Sequence, residues 1–256
     1  MCDDSGIQKP TRIITTSWDD GHPLDIRLAE LLATFGLKGT FYVPISYDAK
    51  KILDYGQLRY LMQMGMEIGS HTLTHPILTK LDKETVSGEL VESKKKLEDI
   101  LGDNVQAFCY PGGKFNKRTR DMVISAGYVL GRTTLGFRID TDFDPFLMPV
   151  SLQFYPHQRQ VLFTHLLKEV NLRGLRNWIG YRHFNTDIIL LTKCLLDSVT
   201  KKQGVLHIWG HSWEIEKYGL WDLLKETLSC VSNQKNVMYC TNTEVIKTIN
   251  KTKIAI

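Results

Sequence analysis

The sequence lacks the features that mark several large classes of protein. It has five cysteines in 256 residues, and none of them forms a C-x-x-C pair. An odd number of cysteines without such pairs argues against a disulfide framework and against a cysteine zinc site. Because this usage fits a reducing compartment, a cytoplasmic location is favoured.

Long apolar runs are also missing. No stretch approaches the roughly 20 apolar residues that a membrane-spanning helix needs, so we expect no membrane span. The start, MCDDSGIQKPTR, has no apolar core of a signal peptide, although removal of a leader would leave the same sequence. No repeat, low-complexity segment or linker interrupts the chain, and we expect residues 1–256 to form one domain.

The excess of positive charge is small. Lysine and arginine together number 32 against 28 acidic residues, which gives a net charge of +4. The one basic run, at residues 94–96, lies inside the amphipathic pattern ETVSGELVESKKKLEDIL. A solvated helix face explains these lysines better than a nucleic-acid patch does, so we expect no nucleic-acid partner.

The chain has instead a regular alternation of strand and helix patterns. The β-branched run RIITTSW predicts a first strand, and later strands are predicted at KGTFYVP, MEIGS, VQAFCYP, YVLGRTT, VLHIWGH and NVMYC. Helical patterns separate them, at residues 24–36, 55–65, 82–101, 116–127, 187–203 and 220–232 and at the C-terminus. This alternation predicts an α/β fold with parallel strands and outer helices, and seven or eight units favour a barrel over an open sheet.

One segment, residues 137–186, does not follow the alternation of strands and helices. FRIDTDFDPFLMPVSLQFYPHQR is loop-like, and VLFTHLLKEV is consistent with a helix or with a strand followed by a helix. We therefore expect elaborated loops between the fifth unit and the helix that begins near residue 187.

Polar residues recur where the predicted strands end. They are Asp19 and Asp20 after the first strand, His71 and His75 after the third, Tyr110 and Gly112 after the fourth, and His211 and Trp213 after VLHIWGH. The carboxyl ends of parallel strands lie on one face, where active sites of such folds are built. We expect these residues to converge there.

The histidine pair suggests a metal site. His71 and His75 can aim their rings at one point if the segment makes a helical turn, and neutral imidazole is a favoured zinc ligand. Either Asp19 or Asp20 could complete a three-ligand site that leaves one position open. Alone, an H-x-x-x-H pattern is more often an ordinary loop, but the aspartate pair and a third strand-end histidine favour the metal.

The two aspartates can divide the chemistry. One could bind the metal while the other acts as general base on a water, and the metal charge would offset their repulsion. A helix cap and a turn residue before Gly21 would account for only one of them. His211 would then be a general acid unless it is simply packed, and His207 is expected to support the sheet.

Four motifs in this order resemble the polysaccharide deacetylase family, also called the NodB-homology or carbohydrate esterase family 4 domain. TSWDDG resembles the first motif, T-F-D-D-G, and HTLTHP resembles the second, H-S/T-x-x-H-P, almost letter for letter. CYPGG resembles R-x-P-x-G, and VLHIWGH resembles a late hydrophobic strand that ends in histidine. The resemblance covers roughly residues 12–215.

The resemblance implies a distorted (β/α) barrel, commonly of seven strands, that binds a divalent metal, foremost Zn²⁺ and otherwise Co²⁺ or Ni²⁺. It implies removal of N-acetyl groups from an amino-sugar glycan, so an acetylated amino sugar is the expected partner. The implied roles are Asp19 as catalytic base, Asp20, His71 and His75 as metal ligands, His211 as catalytic acid, and Gly112 as the backbone N–H donor to the oxyanion. Tyr110, Trp209 and Trp213 offer flat surfaces to a sugar ring, although core packing explains each of them equally well.

The sequence departs from the family pattern in three places. Cys109 stands where many members have an arginine that pairs with the base, and Arg132 or Arg138 could approach instead. The fourth motif, D-x-x-D-W, has no clean match; the candidates without a tryptophan are Asp140, Asp142 and Asp144. Trp18 replaces the usual phenylalanine before the aspartate pair.

Two further functions are compatible with the sequence. The same barrel could hydrolyse a small non-sugar amide or a cyclic ureide, which the unusual third and fourth motifs keep in view. It could also be a sugar-binding domain without turnover, but the presence of all five polar strand-end residues argues against that interpretation. His157, His165 and His183 fall in the irregular segment and could line a substrate groove.

Overall fold

The first strand, β1 (Arg12–Asp19), runs through the centre of the structure, a computed structural model that describes residues 12–180 and 185–254. Its β-branched run is buried from Ile13 onward and pairs in parallel with a strand on each side. Burial on both faces is typical of parallel sheets and explains the continuous apolar and β-branched sequence. Cys2 and His183 lie outside the described residues.

The described strands form one parallel sheet in the order β5-β4-β3-β2-β1-β7-β6. The further strands are β2 (Gly39–Val43), β3 (Glu67–Ser70), β4 (Ala107–Cys109), β5 (Leu130–Arg132), β6 (Leu152–Gln153), β7 (Gly204–Gly210) and β8 (Met238–Tyr239). β8, predicted at NVMYC, is a two-residue strand that pairs with the start of β1 outside this path. The seven strands of the main path confirm the predicted parallel α/β architecture.

Residues 148–153 join the two edges of the sheet. On one side, Met148 N–H donates to the Gly131 carbonyl at 2.8 Å and Thr133 N–H donates to the Met148 carbonyl at 2.9 Å. On the other, the pairing of β6 with β7 places Leu152 beside Ile208. The sheet therefore curls into a distorted barrel that is closed by short and irregular contacts, as predicted.

Helices cover the outside of the sheet. They are α1 (Asp25–Thr34), α2 (Tyr55–Gln63), α3 (Lys83–Leu101), α4 (Lys117–Ser125), α5 (Arg159–Lys168), α6 (Leu172–Gly180), α7 (Ile188–Lys202), α8 (Ser212–Lys217), α9 (Trp221–Val231) and α10 (Asn242–Ile254). The predicted cap of α4 is confirmed, because the Asn116 side chain accepts from Thr119 N–H at 2.9 Å. None of the helices in the described ranges combines the length and apolar character needed to cross a bilayer.

The segment at 137–186 is more ordered than the sequence suggests. It contains β6 and the two helices α5 and α6 within its described part, so the expectation of loops is wrong there. VLFTHLLKEV forms most of α5, which decides between the two predicted conformations in favour of a helix. Asn171 separates α5 from α6: its side chain accepts from Gly174 N–H at 2.9 Å and donates to the Gly136 carbonyl at 2.8 Å.

His207 supports the sheet, as expected. Its Nδ1–H donates to the Pro149 carbonyl at 3.2 Å, and Nε2 lies 2.8 Å from Ser17 Oγ, which must then donate to it. The ring is 1% exposed. Burial, together with the nearby Arg132 charge, lowers the pKa of His207 to about 3, so the folded protein holds this ring neutral.

This buried neutral histidine predicts a loss of stability in mild acid. The unfolded chain binds a proton at His207 below about pH 6.5 and the folded chain does not, so the free energy of unfolding falls as pH drops from 6.5 towards 3. The contribution is about 1.4 kcal/mol per pH unit in that window. We expect His207→Gln to show a shallower fall than the parent between pH 6.5 and 5 in urea unfolding with a chelator present. If the unfolding free energies of the parent and of His207→Gln fell equally steeply with pH, His207 would not be the buried neutral group that causes the loss of stability.

Candidate active site

A cavity of about 550 Å³ opens at the carboxyl ends of the barrel strands. Eight of the nine residues predicted for the site line it: Asp19, Asp20, His71, His75, Gly112, Trp209, His211 and Trp213. His157 and His165 line it as well, from the segment before α5 and from α5 itself. The structure thus brings together residues as distant in the chain as Asp20 and Trp213, 193 positions apart, because their strands end at one face.

Asp19 is held by a buried arginine. Arg132, the last residue of β5, forms an ion pair with Asp19 through Nη2 and Oδ1, and its side chain is fully buried. The guanidinium also lies over the Trp209 ring at 4.8 Å and the Tyr42 ring at 5.2 Å. Of the two arginines that the sequence suggests, Arg132 therefore takes the place of the missing arginine of the third motif.

Cys109 occupies the motif position where that arginine is missing. Its Sγ lies 3.8 Å from Asp19 Oδ2, within reach of a weak thiol hydrogen bond. Burial raises the pKa of the Cys109 thiol well above its ordinary value, and the carboxylates near it act in the same direction. The thiol therefore keeps its proton, and Oδ2 has this weak donor beside it while Oδ1 is engaged by Arg132.

Asp20 divides its two oxygens between different partners. Oδ1 lies 3.2 Å from His75 Nε2 and 3.9 Å from His71 Nε2. Oδ2 accepts from Lys50 Nζ at 2.6 Å and from the indole N–H of Trp213 at 3.0 Å. Burial alone would raise the pKa of Asp20, but the three histidines His75, His211 and His71, together with Lys50, hold it well below its usual range.

The backbone at Asp20 makes this arrangement possible. Asp20 has φ of 75° and Gly21 has φ of 59°, so the chain turns sharply as it leaves β1. A Cβ at position 21 would lie 2.7 Å from Val43 Cγ1, so the sequence needs glycine there for space as well as for conformation. The adjoining His22, for which the sequence predicts no role, accepts from Leu24 N–H through Nδ1 at 3.2 Å.

His71 and His75 are brought together without a helical turn. The segment after β3 is non-helical, and Thr72 and His75 have φ of 71° and 62°. The helical turn that the i, i+4 spacing allows is therefore not formed, and the two rings still lie close together, with their centroids 4.7 Å apart. The His75 ring also stacks on Tyr47, with the centroids 4.3 Å apart.

His71 is oriented as a metal ligand would be. Its Nδ1–H donates to the Cys109 carbonyl at 2.9 Å, which leaves Nε2 as the acceptor on the side of Asp20. Burial lowers the pKa of His71 to about 4, so the ring is neutral at physiological pH. A neutral ring with one nitrogen fixed by a carbonyl is the usual state of a ligating histidine.

The donor set of Asp20, His71 and His75 fits a divalent metal. One potential ligand atom from each residue lies within 4.8 Å of the others. One potential ligand atom from each of Asp19, His71 and Cys109 also lies within 4.8 Å of the others, which makes a second possible set. It fits less well, because Asp19 is already engaged by Arg132 and the thiol of Cys109 resists deprotonation.

His211 lines the same cavity and has a carboxylate partner that the sequence analysis did not identify. Its Nδ1–H donates to Glu214 Oε2 at 2.7 Å, while Nε2 lies 4.0 Å from Asp20 Oδ2. Burial would lower the pKa of His211, but Glu214 and the two aspartates outweigh it and raise the pKa. The i, i+3 spacing in HSWE at the start of α8 is the signal that could have indicated Glu214.

The three aromatic residues predicted to bind substrate have different positions in the structure. Trp209 and Trp213 line the cavity, and Trp213 also holds Asp20. Tyr110 does not, which corrects its assignment to substrate binding: the side chain is fully buried, contacts Phe108 edge-on and donates its hydroxyl to the Phe146 carbonyl at 3.0 Å. Its polar tip satisfies a backbone carbonyl in the core instead of meeting a ligand.

Arg138 and the three aspartates considered for the fourth motif do not line the cavity. Arg138 pairs with Asp140, and Asp144 pairs with Arg120 and caps a short turn at Phe146. This part of the chain therefore uses charged residues in local ion pairs and caps, and the fourth motif has no counterpart here.

Comparison with known proteins agrees with the fold and with the strand-end motifs. Residues 6–131 match the sequence model of the polysaccharide deacetylase family, a match that includes β1 to β4 and most of β5. YxkH of Bacillus subtilis, whose name assigns it provisionally to the polysaccharide deacetylases, is 29% identical over 130 residues. Chitin deacetylase 1 of Cryptococcus neoformans is 32% identical over 131 residues. Residues 6–131 of the chain are therefore similar to the polysaccharide deacetylase family.

These relatives are longer proteins, and the chain spans only part of them. The matches cover 50% of the chain and 47% of YxkH, and 47% of the chain and 27% of the chitin deacetylase. The family 4 carbohydrate esterase from Streptomyces lividans, solved in complex with acetate, is similar in fold with a TM-score of 0.53. It is 14% identical in sequence, and the superposition covers 87% of this chain and 88% of that one.

The assignment of Asp20, His71 and His75 as metal ligands predicts which variants bind Zn²⁺ more weakly. Asp20→Ala and His71→Ala should each weaken Zn²⁺ binding by more than about 100-fold, since loss of an outer-shell partner alone costs about 10- to 100-fold. Competition with a chromophoric chelator measures this affinity. His157→Ala, which removes a histidine from another part of the same cavity, is the matched control and should bind like the parent. Comparable losses in all three variants would contradict the assigned ligand set.

Proposed function

We propose that the protein is a metal-dependent hydrolase that removes N-acetyl groups from an amino-sugar glycan or oligosaccharide, acting as one barrel domain. The observation that carries this proposal is the convergence of three units in one cavity: the Asp19–Arg132 pair, the Asp20–His71–His75 donor set and the His211–Glu214 pair. Together they provide a base, a metal site and an acid, which are the groups that amide hydrolysis requires.

Asp19 is the proposed general base. Arg132 engages Oδ1, while Oδ2 has the weak Cys109 thiol beside it, so Oδ2 can accept a proton from a water that attacks the amide carbon. The buried guanidinium also fixes the carboxylate in place. Its contacts with the Trp209 and Tyr42 rings limit the directions in which the pair can move.

His211 is the proposed general acid. Glu214 accepts the Nδ1–H and favours the imidazolium, so a proton is available on Nε2, the nitrogen on the side of Asp20. Transfer of this proton to the amide nitrogen would allow the amine to leave. The base and the acid are then both restored when Asp19 releases the proton that it took from the water and His211 takes up a proton through solvent, so that the net reaction is amide plus water to amine plus acetic acid.

Asp20, His71 and His75 are the proposed metal ligands, with Zn²⁺ as the preferred ion for a nitrogen and oxygen donor set. A divalent ion held there would polarise the acetyl carbonyl and increase the acidity of a water. Lys50 and Trp213 hold the outer oxygen of Asp20, which directs the other oxygen towards the two histidines. This support fixes the carboxylate before any ion arrives.

Gly112 is the proposed oxyanion donor through its backbone N–H. The residue lines the cavity in the turn after β4 and has φ of 59°. A Cβ there would lie 3.1 Å from Ile77 Cδ1, so both the left-handed backbone and the limited space favour glycine. Trp209 and Trp213 supply the proposed flat surfaces for a sugar ring.

Hydrolysis of a small non-sugar amide is the second candidate. One observation favours it: the cavity of about 550 Å³ is walled by Leu162 and Leu166 of α5 and lies within the size range of sites that enclose one small ligand. The same cavity also suits a short oligosaccharide end, which agrees with the first proposal.

Two hydrolysis readouts separate these functions: acetate release is measured for the oligosaccharides, and cleavage of the amide or ring C–N bond is measured for the small compounds. The parent protein is incubated with chito-oligosaccharides of increasing length and with a panel of small amides and cyclic ureides, each with and without a chelator. We expect chelator-sensitive release of acetate from the oligosaccharides. Turnover of the small compounds alone would establish the second candidate. Tight Zn²⁺ binding without any turnover would indicate a sugar-binding domain instead.

Replacement of the base tests the mechanism. Asp19→Asn should retain Zn²⁺ affinity but lower kcat by about 100- to 10,000-fold, because an amide cannot accept the proton. Steady-state kinetics on the best oligosaccharide, with Zn²⁺ content and circular dichroism as controls, measures this separation. Full activity in Asp19→Asn would rule out Asp19 as the base.

A further inference from the structure

A buried glutamate lies on the inner side of α3. Glu89 is 8% exposed and occupies the same helical face as Val86, Leu90 and Ser93, all of which are buried in the packing of α3. An ionisable side chain on such a face is costly to bury unless its oxygens are matched by donors. The partners of Glu89 therefore indicate why it is there.

The Glu89 carboxylate binds the segment between the two cavity histidines. Oε2 accepts from Leu73 N–H at 2.8 Å and from Thr74 N–H at 2.9 Å, and Oε1 accepts from the Thr74 hydroxyl at 2.6 Å. Three donors from two successive residues thus converge on one side chain. Charge-assisted bonds of this kind are stronger than neutral ones.

This segment needs such support because its backbone is unfavourable. Thr72 and His75 both adopt left-handed φ values, and neither is a glycine. A helical turn would have given the N–H groups of residues 73 and 74 backbone acceptors or solvent, but here the carboxylate satisfies them. The Thr72 hydroxyl completes the turn by accepting from His75 N–H at 2.9 Å.

We propose that Glu89 is a positioning residue that presets the spacing of His71 and His75 for the metal. It acts through the backbone of residues 73 and 74, to which its hydrogen bonds run. The proposal rests on the metal centre of the proposed function. It assigns to α3 a role in the site that lies outside the four strand-end motifs.

The matched test uses two glutamates of the same helix. Glu92 is exposed on α3, three residues beyond Glu89, so Glu92→Ala controls for loss of charge and of helix composition. We expect Glu89→Ala to bind Zn²⁺ about 10- to 100-fold more weakly than the parent, measured by chelator competition well below the unfolding temperature. Glu92→Ala should bind within about twofold of the parent, as expected for an exposed surface change.

Glu89→Gln keeps the test decisive if Glu89→Ala does not fold. Its amide retains one carbonyl oxygen for the Leu73 and Thr74 N–H groups but loses the charge, so its affinity should fall between those of the parent and Glu89→Ala. At saturating Zn²⁺, the acetate-releasing activity of the Glu89 variants should recover towards that of the parent. A purely structural defect would not be restored by added metal.

Two outcomes overturn different statements. If the parent and a folded Glu89 variant bind Zn²⁺ equally tightly, the positioning role is wrong while the metal centre stands. If the parent itself binds no divalent ion, the metal centre is wrong and the role of Glu89 falls with it.

Discussion

The burial of two adjacent carboxylates at the end of β1 is the constraint on which the rest of the site depends. Each forms a separate ion pair: Asp19 with Arg132, and Asp20 with Lys50. Arg132 belongs to β5, four strands from β1 along the sheet. In a flat sheet that separation would be about 19 Å, beyond the reach of the side chain. The ion pair between Arg132 and Asp19 therefore requires the sheet to curl.

Much of this can be predicted from the sequence because the relevant signals are local. The β-branched run before Asp19 and the capped helices indicate the parallel α/β barrel, and polar residues at strand ends indicate most of the cavity lining. From the sequence, the arginine that pairs with Asp19 can be narrowed only to Arg132 or Arg138, because no local pattern shows which strand ends face each other across a barrel. The prediction for Tyr110 is wrong because a strand-end aromatic can point to the core or to the cavity.

Other parts cannot be predicted because their meaning depends on distant contacts. Glu89 occurs in a helical pattern where glutamate is usually solvated, and only the folded chain shows that it holds a loop. β6 is two residues long, and its strand character comes from pairing with β7 and not from its own propensity. The sequence indicates α5 only as one of two conformations for VLFTHLLKEV, and no pattern in it predicts α6.

Residues 148–153 close the barrel before the chain forms the helices that wall the cavity. The chain is fixed to β5 at Met148 and to β7 at Leu152, and only then leaves the barrel to form α5. Helices α5 and α6 thus follow the closing contacts as a separate segment of the chain. A change in these helices would alter the cavity wall at Leu162 and Leu166 while leaving the strand ends that carry Asp19, Asp20 and His71 intact. The residues that shape this wall and the residues that carry the charged groups thus belong to separate parts of the chain.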